Sequence, residues 1–291
     1  HTWSLGPIYP NPKNFKEMAI TASDVNKLRK LTGAGMMDCK NALVEANGEF
    51  ESAIDNLRKR GQKVAAKRAD RDATEGCVIA KACDDGSCGV IVSLNCETDF
   101  VAKNEGFVTL TNQITDVALK ASPANSEALM ALPFDDSMTV AEKLTEQTGV
   151  IGEKLEIASY EHLSGEFVAS YIHAGNKLAT LVSLSSKADE AGRDVAMQAA
   201  AMNPVALNRD EVSTEVIDRE LEVAREQIRL EGKPEEMIDR IAQGKLNKFF
   251  KDNTLIDQSF IKDSKQTVSS YLNSVEKGLA VTGFRRVGLG V

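Results

Sequence analysis

Between Thr21 and Gly61 the apolar positions recur every three or four residues: Val25, Leu28, Leu31, then Cys39, Leu43, then Ile54, Leu57. That spacing predicts three short helices, enough for one small bundle. Thr21 caps the first, in "TASD", and "TGAG" (Thr32 to Gly35) ends it. The second runs from about Met36 to Ala46, stopped by "NG", and the third from about Glu49 to Arg60, stopped by Gly61. "KVAAKRADRDATEG" then reads as a basic linker.

The period then shortens to two. "EGCVIAKACDDGSCGVIVSL" and "SGEFVASYIHAGNKLATLVSL" each give an alternating run, a turn with Gly and a second alternating run ending in V-S-L. A helical period follows each: Phe107, Leu110, Ile114 and Val117 after the first, Ala191, Val195, Ala199 and Met202 after the second. The simplest account is a duplicated hairpin-plus-helix unit, two α+β subdomains sharing one core. Between Pro204 and Lys251 a highly charged stretch carries a narrow apolar stripe (Val212, Val216, Val223, Ile228, then Ile238, Ile241, Leu246). Gly232 as stop and Pro234 as start make it an antiparallel helical hairpin that stands out from the core. A last helix holds Val268, Tyr271, Leu272 and Val275, before a tail "GFRRVGLGV".

The fold class is therefore α+β. Its parts are a leader over 1–17, a three-helix domain over 18–62, a linker over 63–74, a first core half over 75–157, a second over 158–203 and 252–284, the inserted hairpin over 204–251 and a tail over 285–291. The leader holds three prolines and no period, is poor in Arg and Ser for a transit peptide, and reads as upstream sequence with a native start at Met18.

Composition narrows the partners. A formal charge of −8 and a pI near 5.2 argue against a protein that covers phosphate backbones, so no nucleic acid is expected to bind directly. No apolar run approaches the roughly 20 residues that span a bilayer, so no membrane is expected either. Five cysteines without a signal-peptide core read as reduced thiols in a cytoplasmic protein. No C-x-x-C pair occurs among them, so no metal and no cofactor is expected. There is no G-x-x-x-x-G-K-[ST] loop to hold a nucleotide.

The stretch "NCETDFVAKNEGF" (Asn95 to Phe107) places a Phe in an acidic turn. From spacing alone Phe100 is a side chain tucked under its own turn, and Asp99 a cap. The second repeat continues instead with "SSKADEAG", with no aromatic, so the fold unit does not require one.

"TGAGMMDCKNAL" (Thr32 to Leu43) and "LNCETDFVAKNEGF" (Leu94 to Phe107) resemble the two signature motifs of the bacterial elongation factor Ts family, and the order of parts is similar from Met18 to Phe284. The resemblance implies an N-terminal domain like ubiquitin-associated (UBA) domains and a guanine-nucleotide exchange factor for elongation factor Tu, with no catalytic residues of its own. It further implies that the T-D-F-V motif, here Thr98, Asp99, Phe100 and Val101, reaches the GTPase near its Mg²⁺ and phosphate site. Further contacts implied fall on Arg29, Met36, Met37, Ile151, Gly152 and His173. Glu97 stands where a Gln is common in the family, and the chain is short after Gly283-Phe284.

Without the resemblance these residues read more plainly: Arg29 a solvated charge, Ile151 and Gly152 core and turn, His173 a surface histidine, and one of Met36 and Met37 in the core with the other on an interface. An adaptor built on the helical domain, without exchange activity, is the alternative. An enzyme using Cys96 or Cys39 with His173 and Asp99 is disfavoured, because no cysteine signature surrounds either thiol. The helical hairpin suits either a second copy of the chain, as a homodimer contact, or the partner, and both stay open.

Overall fold

The structure, a computed structural model, describes residues 19–290. In chain order come α1 (Ala22–Thr32), α2 (Met36–Glu45) and α3 (Phe50–Arg68), then strands β1 (Glu75–Ala82) and β2 (Cys88–Cys96). A four-residue helix, α4 (Asp99–Ala102), precedes α5 (Glu105–Ala121), α6 (Ser126–Ala131) and α7 (Val140–Ile151). Strands β3 (Glu156–Ser164), β4 (Phe167–Ile172) and β5 (Leu178–Leu184) lead to α8 (Asp189–Met202). Then follow α9 (Thr214–Leu230), α10 (Glu235–Asn253), β6 (Ser259–Phe260), β7 (Asp263–Thr267), α11 (Val268–Val275) and β8 (Val281–Gly288). The expected leader and the start at Met18 lie outside the described residues.

Two compact units result. One holds residues 19–70 with 145–153, the other 71–144 with 154–290. In the first, Thr21 and Asp24 form a reciprocal capping box that starts α1, and Gly33 in the left-handed region ends it. Leu28, Cys39, Ala42, Leu43 and Ala53 make its core. Leu31, expected in that core, is 62% exposed. The buried stripe is Val25, Leu28 and Thr32, and the Thr32 hydroxyl donates to the Leu28 carbonyl at 2.8 Å, so a polar residue takes the place that spacing assigned to Leu31.

The third helix does not stop at Gly61 but continues to Arg68, which makes the first part of the expected linker helical. Gly61 is a contact and not a stop: a Cβ there would lie 2.9 Å from the Thr145 carbonyl oxygen. Residues 145–153, read from sequence within the first core half, group by contacts with these helices.

The second unit holds two three-stranded antiparallel sheets, ordered β1-β2-β3 and β4-β5-β8, with a small β6-β7 pair. Val195, Ala196 and Ala199 of α8 pack on Ala169, Val182 and Leu184. In the first repeat Phe107, Leu110 and Ile114 are the buried face of α5. Val78, Ala80 and Ile91 of one sheet form a single cluster with Val168, Ala179, Leu181 and Val287 of the other, so the repeats share a core.

Each sheet gains a third strand that alternation did not announce. The boundary drawn at 157/158 falls inside β3, which pairs with β2. The expected tail at 285–291 is corrected as well: Arg285, Arg286 and Val287 belong to β8, paired with β5. Its apolar positions are interrupted by Gly283 and Arg285, which hides a period of two, while the free edge of β5 supplies the partner that makes it a strand.

Cys83 and Cys88 are joined by a disulfide across the β1–β2 turn, with Cα atoms 5.4 Å apart, which corrects the reading of five reduced thiols. The turn brings them together: the Cys83 N–H donates to the Cys88 carbonyl at 2.8 Å. Cys39, Cys77 and Cys96 are free and buried.

Helices α9 and α10 pack along a narrow seam, Ala224 and Ile228 against Ile238 and Ala242, with Val212, Leu246 and Phe250 at the base. None of the described helices is long and apolar enough to cross a membrane.

Candidate functional site

Strand β2 ends at Cys96, whose Sγ donates to the Thr98 carbonyl at 3.2 Å. Thr98 is extended and its hydroxyl accepts from the Val101 N–H at 3.4 Å, so Thr98, and not Asp99, is the cap of α4. Four residues then divide between two faces. Ala102 is buried, Val101 half-buried, and Phe100 is 84% exposed. The ring adds nothing to the fold's own core. In the second repeat no such turn exists: β5 runs into α8 behind Ala188, which makes no side-chain cap.

Asp99 pairs with Lys103 one turn on, Oδ2 to Nζ 2.7 Å. The hydrogen bond and charge of Lys103 hold the Asp99 carboxyl below the usual carboxylate range, with Lys177 adding to the effect, and Asp99 in turn raises Lys103. The pair is exposed, so it orients the turn more than it stabilises the fold.

Lys177 comes from the β4–β5 turn. Gly175 (φ 89°) and Asn176 (φ 55°) bend that turn through the left-handed region, and the Asn176 carbonyl accepts from Val78 N–H at 2.8 Å. Lys177 Nζ lies 3.2 Å from Glu75 Oε2, and Glu75 stands opposite Cys96 in the ladder. His173, exposed and within 3.1 Å of the Tyr171 hydroxyl through Nδ1, sits at the start of the same turn. The structure therefore brings His173 and the Thr98–Val101 turn to one end of this unit.

In the helical unit Met36 and Met37 are 56% and 64% exposed, which corrects the division into one core and one interface residue. Both lie in the first turn of α2, before its buried positions Cys39, Ala42 and Leu43, and Ala34 fills the core at that end. Arg29 is exposed too. With Leu31 these residues leave apolar and basic side chains open to solvent. Ile151 is half-buried, and Gly152 (φ 79°) ends α7, its N–H donating to the Thr148 carbonyl at 2.8 Å.

Among the described residues no three His, Cys, Asp or Glu side chains are grouped to hold a metal ion. Burial pushes the Cys77 thiol up to about 11 and raises Cys39 as well, which leaves neither as a thiolate nucleophile at neutral pH.

Residues 97–291 match the family described as Elongation factor TS, a span of well over half the chain that begins at the turn carrying Phe100. The chain belongs to the elongation factor Ts family. Elongation factor Ts of Flavobacterium psychrophilum is 57% identical over 274 residues, 93% of this chain and 99% of the relative. The Christiangramia forsetii elongation factor Ts is equally similar, 57% over 274 residues with the same coverage. That of Porphyromonas gingivalis is 52% identical over 273 residues, 94% of this chain and 99% of its own length. These relatives extend the elongation factor Ts match over the N-terminal helices as well.

Sequence reading missed Lys103, Glu75, Lys177 and the exposure of Leu31. The Asp99–Lys103 spacing of four is a legible helical pair. The other ions meet across strands and turns, where no local spacing announces them.

Proposed function

We propose that the protein is a guanine-nucleotide exchange factor for elongation factor Tu, and that Asp99 and Phe100 enter the GTPase beside its Mg²⁺ and phosphate site. The observation that supports this most is the 84% exposure of Phe100 on a capped turn that the second repeat lacks. An exchange factor forms no bonds. It binds the nucleotide-free GTPase better than the nucleotide-bound one, and by reciprocity that difference weakens the nucleotide.

Burying one Phe ring supplies roughly 1.5 to 3 kcal/mol. At about 1.4 kcal/mol per tenfold, that covers one to two decades of nucleotide weakening. The rest is shared by a wider interface, for which Arg29, Met36 and Met37 on the UBA-like bundle, Ile151 and Gly152, and His173 are the contacts. Phe100 acts as a wedge on the groups that support the partner's Mg²⁺ ligands, and loss of that ion leaves the phosphates' charge less compensated. Asp99, ionised and held by Lys103, orients the wedge.

The deciding experiment is release of fluorescent GDP from elongation factor Tu in a stopped flow, with this protein and with Phe100→Ala, at fixed Mg²⁺. Faster release that the substitution removes supports the wedge. No acceleration by the unmutated protein ends the exchange reading in favour of an adaptor.

A further inference from the structure

Sheet pairing between β2 and β3 ends at Asn95 opposite Glu156. Continued in register, Glu97 stands opposite Lys154. There the chain departs from strand geometry, and the Lys154 N–H takes the Glu97 carboxylate as its acceptor, Oε1 at 2.8 Å. The side chain supplies one more rung at the point where the backbone bends into the Thr98 cap. Lys154 is itself fixed, its Nζ 3.2 Å from Glu156 Oε2 and donating to the Arg71 carbonyl at 3.0 Å.

Helix α4 is four residues long, too short to persist by its own hydrogen bonds, and it buries only Ala102. Its outer ion pair, Asp99–Lys103, lies within the turn and does not tie it to the sheet. The Glu97 carboxylate ties the turn's entry to the segment that leads into β3.

We infer that Glu97 is a positioning residue for nucleotide exchange: by accepting the Lys154 amide it holds the Thr98 turn in the orientation that presents Phe100. This rests on the exchange reading. The role needs an acceptor oxygen and not a charge, so a Gln serves and an Ala does not.

The test is release of fluorescent GDP from elongation factor Tu with the full chain carrying Glu97→Ala, Glu97→Gln, Phe100→Ala, or Glu97→Ala with Phe100→Ala, beside amide hydrogen exchange of each protein alone. Glu97→Ala is expected to cut the acceleration at least fivefold, with faster amide exchange at Lys154 and across α4 and an unchanged thermal midpoint. Glu97→Gln is expected to stay within twofold of the unmutated protein, and Glu97→Ala is expected to cost nothing further once Phe100 is gone. Equal losses in the Gln and Ala variants would assign Glu97 a direct charge contact and overturn the inference. Additive losses with Phe100→Ala would overturn it too, and so would unchanged amide exchange at Lys154 and α4. Absence of acceleration by the unmutated protein sinks the exchange reading itself, whereas acceleration that survives Glu97→Ala sinks only the role of Glu97.

Discussion

Gly61 of α3 and Gly149 of α7 meet backbone to backbone: a Cβ on Gly149 would lie 2.5 Å from the Gly61 Cα. Side-chain packing cannot yield at such a crossing, because the atom met is main chain. Gly149→Ala is therefore expected to destabilise the helical unit by about 1–3 kcal/mol. Gly244, inside α10 with open space around it, is the control, and Gly244→Ala is expected to stabilise by about 0.5–1 kcal/mol. Chemical denaturation of both variants checks the opposite signs, and a neutral Gly149→Ala would refute the close crossing.

Phe100→Ala separates function from stability. With the ring exposed, the midpoint of unfolding should shift by no more than about 0.5 kcal/mol. Loss of roughly 1.5 to 3 kcal/mol of ring burial on the partner should slow GDP release about ten- to a hundredfold relative to the unmutated factor. A variant that melts early, or exchanges as fast as before, would contradict the assignment.

The Asp99–Lys103 pair has a defined pH signature. Lys103 holds the folded-state pKa of Asp99 below its unfolded value. The pair's contribution is thus fully present above the unfolded pKa, near 4, and is lost as pH falls through the lower folded pKa. Carboxyl NMR titration should place the Asp99 midpoint below the ordinary range, and Lys103→Ala should raise it. A midpoint that does not respond to Lys103→Ala would exclude the pair in solution.

Thiol counting tests the Cys83–Cys88 bridge. Alkylation of the protein denatured without reductant should label the three free cysteines, Cys39, Cys77 and Cys96, and reduction should expose the other two. The chain-entropy relation gives a short closed loop of this kind about 2 kcal/mol, so reduction should lower the melting temperature by a few degrees. Labelling of all five before reduction would return them to the thiol state.

Sequence by itself determined the features that depend on neighbours along the chain. The Thr21 cap, the stops at "TGAG" and Gly232, the two alternating hairpins and the missing aromatic of the second repeat are local, since caps, turns and periods involve residues within one or two turns of each other. Two long motifs were enough to suggest the family. Tertiary structure decided what depends on residues distant in sequence. Gly61 reads locally as a stop and is a crossing point because Gly149 lies against it. Residues 285–288 read as a tail and are strand because β5 has a free edge. Leu31 has the spacing of a core residue, yet the neighbouring helices bury Thr32 in its stead. Phe100 could be placed in a turn from the sequence, but its exposure was decided by Ala102 taking the inner face, and the turn's entry meets a distant segment where the Lys154 N–H donates to the Glu97 carboxylate, a contact between residues 57 apart in the chain.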